Sequence, residues 1–82
     1  ILTDDENQPE TVVEKRFEAV KVRQAVEKLP KKYRDVVVLH IYAGLPYAEV
    51  GKLLGISEGT AKVTFHRAKK ILKEALMNEN QL

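Results

Sequence analysis

Cysteine is absent from this chain, so neither a disulfide nor a thiolate metal site can brace it, and packing alone has to hold the fold. No apolar run approaches the roughly 20 residues that a membrane span needs. The acidic opening segment is also unlike a basic-then-apolar secretion signal. A soluble, cytoplasmic protein without membrane insertion is expected. His40 and His66 are the only histidines, and no close Asp/Glu cluster joins them in ligand spacing, so no metal is expected. No nucleophile, base and orienting group can be assembled, and no Gly-rich phosphate loop is present; neither catalysis nor a cofactor is expected. The formal net charge is only +2 over 82 residues, too little to name a partner by itself.

What is present is enough for one domain. At 44% apolar composition the chain can form a single core, although a domain of this size buries only about 60% of its unfolded surface. The distribution of charge says more than its sum. Residues 1–30 hold seven acids and five bases, net −2, and residues 31–82 hold five acids and nine bases, net +4. From Ser57 to Lys73 the bases are Lys62, Arg67, Lys69, Lys70 and Lys73, against the single acid Glu58. The chain opens on Ile1 rather than Met, from which a longer parent chain is expected.

Residues 1–8 are polar and aperiodic and read as a flexible linker end. Pro9 suits the first turn of a helix, with Glu10 and Glu14 near its positive end, and no breaker intervenes before Pro30. The apolar residues of this first helix fall into two sets. Val13, Phe17 and Val20 share one face, while Val22, Val26 and Leu29 lie nearly opposite. Either one set faces a partner, or a bend near Val20 to Val22 returns both to one core. Lys31 to Tyr42 is rich in β-branched residues, but a lone strand would lack a partner. Pro30 before it and Gly44 after it are helix start and stop signals, so a helix is expected, with Tyr33, Val36, Val37, His40 and Ile41 at helical spacing. A short helix follows to Leu54, its face made by Tyr47, Val50, Leu53 and Leu54, ending at Gly55 in a left-handed cap. Tyr33, Tyr42 and Tyr47 read as core-edge anchors.

Gly55-Ile56-Ser57 makes a tight turn, in which Ile56 tucks inward and Ser57 caps the next helix by accepting a bond from the Thr60 amide. That helix begins at Glu58. Ala61, Phe65, Ala68, Leu72, Ala75 and Leu76 recur at spacings of three and four and define its buried face. Gly59, Lys62, Val63, His66, Arg67 and Lys70 fall on the other side, and residues 77–82 are expected to fray. A short helix, a turn of three or four residues and a longer helix form a helix-turn-helix, here Tyr47 to Lys73. Gly51, in the middle of the short helix, costs about 1 kcal/mol relative to Ala, which suggests the close approach of a neighbouring helix. The expected fold is therefore all-α, a small four-helix domain over 9–76 with a C-terminal helix-turn-helix. Its last helix is suited to a DNA major groove. Lys62 and Arg67 can donate to guanine or phosphate, and Val63 can meet a thymine methyl. Thr60 and the amides of the helix start can bind phosphate. Lys69, Lys70 and Lys73 would add backbone affinity. His66 could touch DNA or face water.

Leu29-Pro30-Lys31-Lys32-Tyr33-Arg34-Asp35-Val36-Val37-Val38-Leu39, then Gly44-Leu45-Pro46-Tyr47-Ala48-Glu49-Val50-Gly51, resembles region 4 of bacterial sigma factors, especially the extracytoplasmic-function (ECF) group. Leu53-Leu54-Gly55-Ile56-Ser57-Glu58-Gly59-Thr60-Ala61-Lys62 and His66-Arg67-Ala68-Lys69-Lys70 look like that family's turn and recognition helix. The resemblance covers about Pro9 to Leu76. It implies the C-terminal domain of an initiation factor that reads the minus-35 element of promoter DNA while another face docks on the flap of the RNA polymerase core, with an anti-sigma factor competing for apolar surface on the earlier helices. By family position Lys62, Val63, His66 and Arg67 would face bases or backbone, with Ser57, Gly59 and Thr60 at the phosphate-facing helix start. Three positions depart from the family pattern: Pro46 replaces a capping Ser, Val63 a common Ser, and Thr64 a common Arg. The readings set against this one are the output domain of a response regulator, which would bind paired half-sites, and a protein-interaction module built on the Val13, Phe17 and Val20 face.

Overall fold

The computed structural model describes residues 9–80, with side chains from 18 to 78. The linker end at 1–8 and the side chains of Val13 and Phe17 lie outside that range. Four α-helices follow one another: α1 (Pro9–Glu27), α2 (Lys31–Val37), α3 (Tyr47–Leu54) and α4 (Glu58–Asn80), with a π-helical turn, Val38–Tyr42, continuing α2. The described residues contain no strand, and the architecture is the expected all-α one.

The described residues of the two apolar sets of α1 differ in burial. Val26 and Leu29 are buried and Val22 packs against the core, whereas Val20 is 54% exposed. The helix is unbroken from Pro9 to Glu27, so no bend brings Val20 inward. Lys28 and Leu29 then donate their amides back to the carbonyls of Ala25 and Val26, which closes the helix just before Pro30. Pro30 is extended (φ −54, ψ 149), and its carbonyl accepts the amides of Tyr33 and Arg34 to start α2. Proline suits this place because its missing N–H would have had no intrahelical partner.

A single α-helix was expected from Lys31 to Tyr42, but the α-pattern stops at Val37. The Ala43 amide reaches the Val38 carbonyl, five residues back, at 3.0 Å. Gly44, at φ +72, then reverses the chain. Leu45 folds back over the turn, its amide bonding the Leu39 carbonyl at 3.1 Å and its carbonyl meeting His40 Nδ1 at 2.8 Å. Leu39 consequently packs on the core, while Ile41 is 55% exposed instead of joining Val36 and Val37. Tyr42 is exposed too, so of the three tyrosines only Tyr33 and Tyr47 serve as core-edge anchors.

The core is made by Val26 and Leu29, Val36 and Val37 of α2, Val50 of α3, and Ala61, Phe65 and Ala68 of α4. Val36 and Val50 are fully enclosed, and burying a valine side chain stabilises by about 1.5–3 kcal/mol. The small Ala61 and Ala68 let α4 lie close against its neighbours, and α4 packs on each of the other three helices. It continues through Asn80, past the boundary drawn at 76. Leu53, expected on the inner face of α3, is 64% exposed, because that face is already filled by Val50 and Gly51 with Tyr47 and Leu54 beside them.

Candidate nucleic-acid interface

The turn before α4 is fixed by its backbone. Gly55 adopts φ +72, the left-handed conformation that glycine reaches without a Cβ penalty. The Ile56 amide bonds the Gly51 carbonyl at 2.9 Å and so ties the turn to α3. A Cβ on Gly51 would stand 2.6 Å from the Ile56 carbonyl oxygen and 3.3 Å from Ser57. The close approach inferred from this glycine is real, but the body that approaches is the turn itself, not a neighbouring helix. Ser57 Oγ accepts the Thr60 amide at 3.0 Å, the expected cap, and its hydroxyl also donates to Thr60 Oγ1 at 2.7 Å. Two polar groups are thereby committed, and the Thr60 hydroxyl keeps its own proton for an outside acceptor.

From this fixed start α4 presents two contrasting sides. Ala61, Phe65 and Ala68 are buried, with Leu72, Ala75 and Leu76 partly so. Ser57, Gly59, Thr60, Lys62, Val63, His66, Arg67 and Lys70 are all exposed, Val63 at 49% despite being apolar. The eight residues singled out from the sequence are thus all accessible, on the helix and its cap. Gly59 has nothing within 4 Å of an added Cβ, so no internal contact accounts for a glycine there. Lys69 belongs elsewhere. Its Nζ sits 5.9 Å over the Phe65 ring, and it lines a groove with Val22 and Leu72 on the side of α1.

Behind the helix an aromatic stack holds α3 and the π-turn in place. His40 lies parallel to Tyr47 at 4.2 Å and edge-on to Phe65 at 4.6 Å. With Nδ1 against the Leu45 carbonyl, His40 is a packed residue that clamps three elements, and among the described residues no group of His, Asp and Glu could hold a metal.

A cleft of about 550 Å³ that sequence spacing does not reveal lies beside the outer face of α4, where the start of α2 meets the shoulder of α4. Lys31, Lys32 and Asp35 of α2 line one wall, and Thr60, Thr64 and Arg67 of α4 the other. The adjacent lysines after Pro30 were the available signal, but sequence distance hides that they face Arg67.

The family model for sigma-70 region 4 matches residues 19–72, which run from the second half of α1 through most of α4. This chain belongs to the sigma-70 region 4 family. The ECF RNA polymerase sigma factor SigW of Bacillus subtilis (strain 168) is 40% identical over 55 residues, 67% of this chain and 29% of that protein. The ECF RNA polymerase sigma factor SigF of Caulobacter vibrioides is 43% identical over 58 residues, 71% of this chain and 32% of that protein. The region 4 chain therefore spans about a third of the length of these relatives. No solved structure matches it. The match to region 4 bears out the resemblance seen in the residues around Leu29 to Arg34 and Leu53 to Lys62.

Proposed function

We propose that this region 4 domain is the C-terminal promoter-reading part of an RNA polymerase sigma factor, and that α4 enters the major groove of the minus-35 element. The observation that carries this reading is the outer face of α4. Four cationic or apolar side chains suited to base edges and backbone, Lys62, Val63, Arg67 and Lys70, stand exposed together, on a helix whose opposite side is locked into the core. Lys62 and Arg67 donate to guanine edges or phosphate, Val63 meets a thymine methyl, and His66 contacts the adjacent groove wall. The Glu58 and Gly59 amides and the Thr60 hydroxyl face phosphate, with Ser57 holding Thr60 in place. Lys70 adds affinity without sequence information. Thr64 takes no part in base reading, in keeping with its half-buried place beside the cleft. The role is one of binding, exercised in the cytoplasm, with the domain that begins at Pro9 and ends with α4 as the working unit.

The second face of the domain supports the protein partners of that role. Val38, Ile41 and Tyr42 are exposed around two shallow grooves between α1 and the π-turn, and Arg23 lies 5.9 Å over the Tyr42 ring. This apolar face, remote in sequence from α4, is assigned to the polymerase flap and to an anti-sigma factor that competes for it. The DNA reading is tested by reversing charge at Lys62→Glu and Arg67→Glu together. Binding to a duplex enriched from a random pool should fall by at least about 100-fold, or 2.7 kcal/mol, with helicity by circular dichroism unchanged. Unchanged DNA binding in a folded double variant would take the reading of DNA away from the outer face of α4.

A further inference from the structure

We infer that the cleft between α2 and α4 is a phosphate clamp, by which Lys31 and Lys32 hold a DNA backbone phosphate flanking the sequence read by α4. The inference rests on the DNA-reading function proposed above and extends the interface onto a helix outside the helix-turn-helix. Three cations, Lys31, Lys32 and Arg67, and two hydroxyls, Thr60 and Thr64, line the same cleft of about 550 Å³. These five side chains can each donate to the oxygens of a phosphodiester, alongside the apolar Val36, Leu54 and Ile56 that complete the lining. Its one carboxylate, Asp35, is already engaged by Lys31 Nζ at 2.8 Å, which leaves Lys32 and Arg67 as two cations in excess. Among the described residues Arg67 makes no ion pair, and Lys32 has only the Tyr33 ring, 5.0 Å from its Nζ.

Placement decides what the cleft is for. On α4 the residues Thr60, Thr64 and Arg67 recur at spacings of four and three, so they form one shoulder of the helix. That shoulder adjoins the outer face carrying Gly59, Val63 and His66. A helix seated in a major groove has a sugar–phosphate strand along each shoulder, and the strand on this side runs into the cleft. Thr64 fits the same picture: a short hydroxyl side chain there leaves room for a phosphate, which the cations of α2 then approach from the opposite wall. Asp35 has a definite part, since its ion pair draws Lys31 toward α2 and sets a carboxylate near the bound anion.

The test is binding of this chain to its enriched duplex and to an unrelated duplex across a salt series, with Lys31→Gln/Lys32→Gln and, separately, Asp35→Asn. Each phosphate neutralised contributes about 0.9 to the slope of log affinity against log salt. The lysine double variant should lower that slope by about one and weaken both duplexes by a similar factor, roughly tenfold at low salt. Asp35→Asn should tighten both. Single methylphosphonate substitutions along the enriched duplex should reveal one flanking phosphate whose neutralisation weakens the unaltered chain but not the lysine double variant. An unchanged slope in the double variant, with the unaltered chain still preferring the enriched duplex, overturns the clamp alone. Failure of the unaltered chain to prefer any duplex overturns the DNA reading and the clamp with it. Saturable occupation of the cleft by inorganic phosphate, without any flanking-phosphate effect on DNA, would also overturn the clamp.

Discussion

Gly51 and Gly59 stand in adjacent helices of one motif, yet the structure gives them opposite reasons to be glycine. At Gly51 a methyl group would collide with the carbonyl of Ile56, a backbone atom held by the turn. Gly51→Ala gains about 1 kcal/mol of helix propensity but forces the turn away from α3, and overpacking of this kind costs about 1–3 kcal/mol. A net fall in the urea midpoint is expected. At Gly59 the methyl meets open space. Gly59→Ala should therefore leave stability unchanged or raise it by up to about 1 kcal/mol, while affinity for DNA falls because the helix start can no longer approach the backbone closely. Urea unfolding and a binding titration on the same sample read the two effects, and a parallel loss of both would contradict the assignment of Gly59 to the interface. The cap is a third residue-scale case. Ser57→Ala removes the acceptor for the Thr60 amide and should destabilise by about 1 kcal/mol. The cap could be named from sequence because Ser after Gly-Ile has a defined local task. The body that crowds Gly51 could not, because the glycine signals close approach without saying by what.

At the scale of elements, starts and stops were written in the chain and inner faces only partly so. Pro30, Pro46 and Gly55 mark boundaries found in the structure, since each removes a donor or permits a conformation that other residues resist. The π-turn at Val38–Tyr42 had no such marker. Val36, Val37, His40 and Ile41 fit α-spacing as well as any helix, and only the return of Leu45 over Leu39 and His40 shows that Ile41 is left outside. Leu53 misled for the same reason, apolar and correctly spaced yet exposed. On α1 the sequence left two faces open, and packing places Val22, Val26 and Leu29 on the core while Val20 stays exposed. Val26→Ala should cost about 2 kcal/mol, as deletion of buried methyl groups does. Val20→Ala should stay within about 0.5 kcal/mol, as exposed positions do. Thermal unfolding of the two variants checks the assignment, and equal losses would mean that Val20 is covered. On α4, Arg67→Ala should cost about 1–3 kcal/mol with relaxed preference at one base position, whereas Lys70→Ala should weaken every duplex alike. Competition binding against single-base variants separates these outcomes, and uniform loss at Arg67 would make it a backbone contact.

The molecule as a whole presents two faces of different chemistry. A net +4 over residues 31–82 is modest, but the fold concentrates it, placing Lys62, Arg67 and Lys70 on the outside of α4 with Lys31 and Lys32 beside its shoulder. Val38, Ile41 and Tyr42 are gathered on another part of the surface. The outer face of α4 was readable because a periodic helix after a defined turn fixes which residues point away from the core. The second wall of the cleft was not, because it depends on how α2 crosses α4. On the function proposed here, α4 reads an asymmetric promoter element. The decisive experiment is selection of duplexes by this chain from a randomised pool at low salt, followed by sequencing. One asymmetric enriched motif is the predicted result; a palindrome with paired half-sites, or retention of duplexes without any motif, would contradict it.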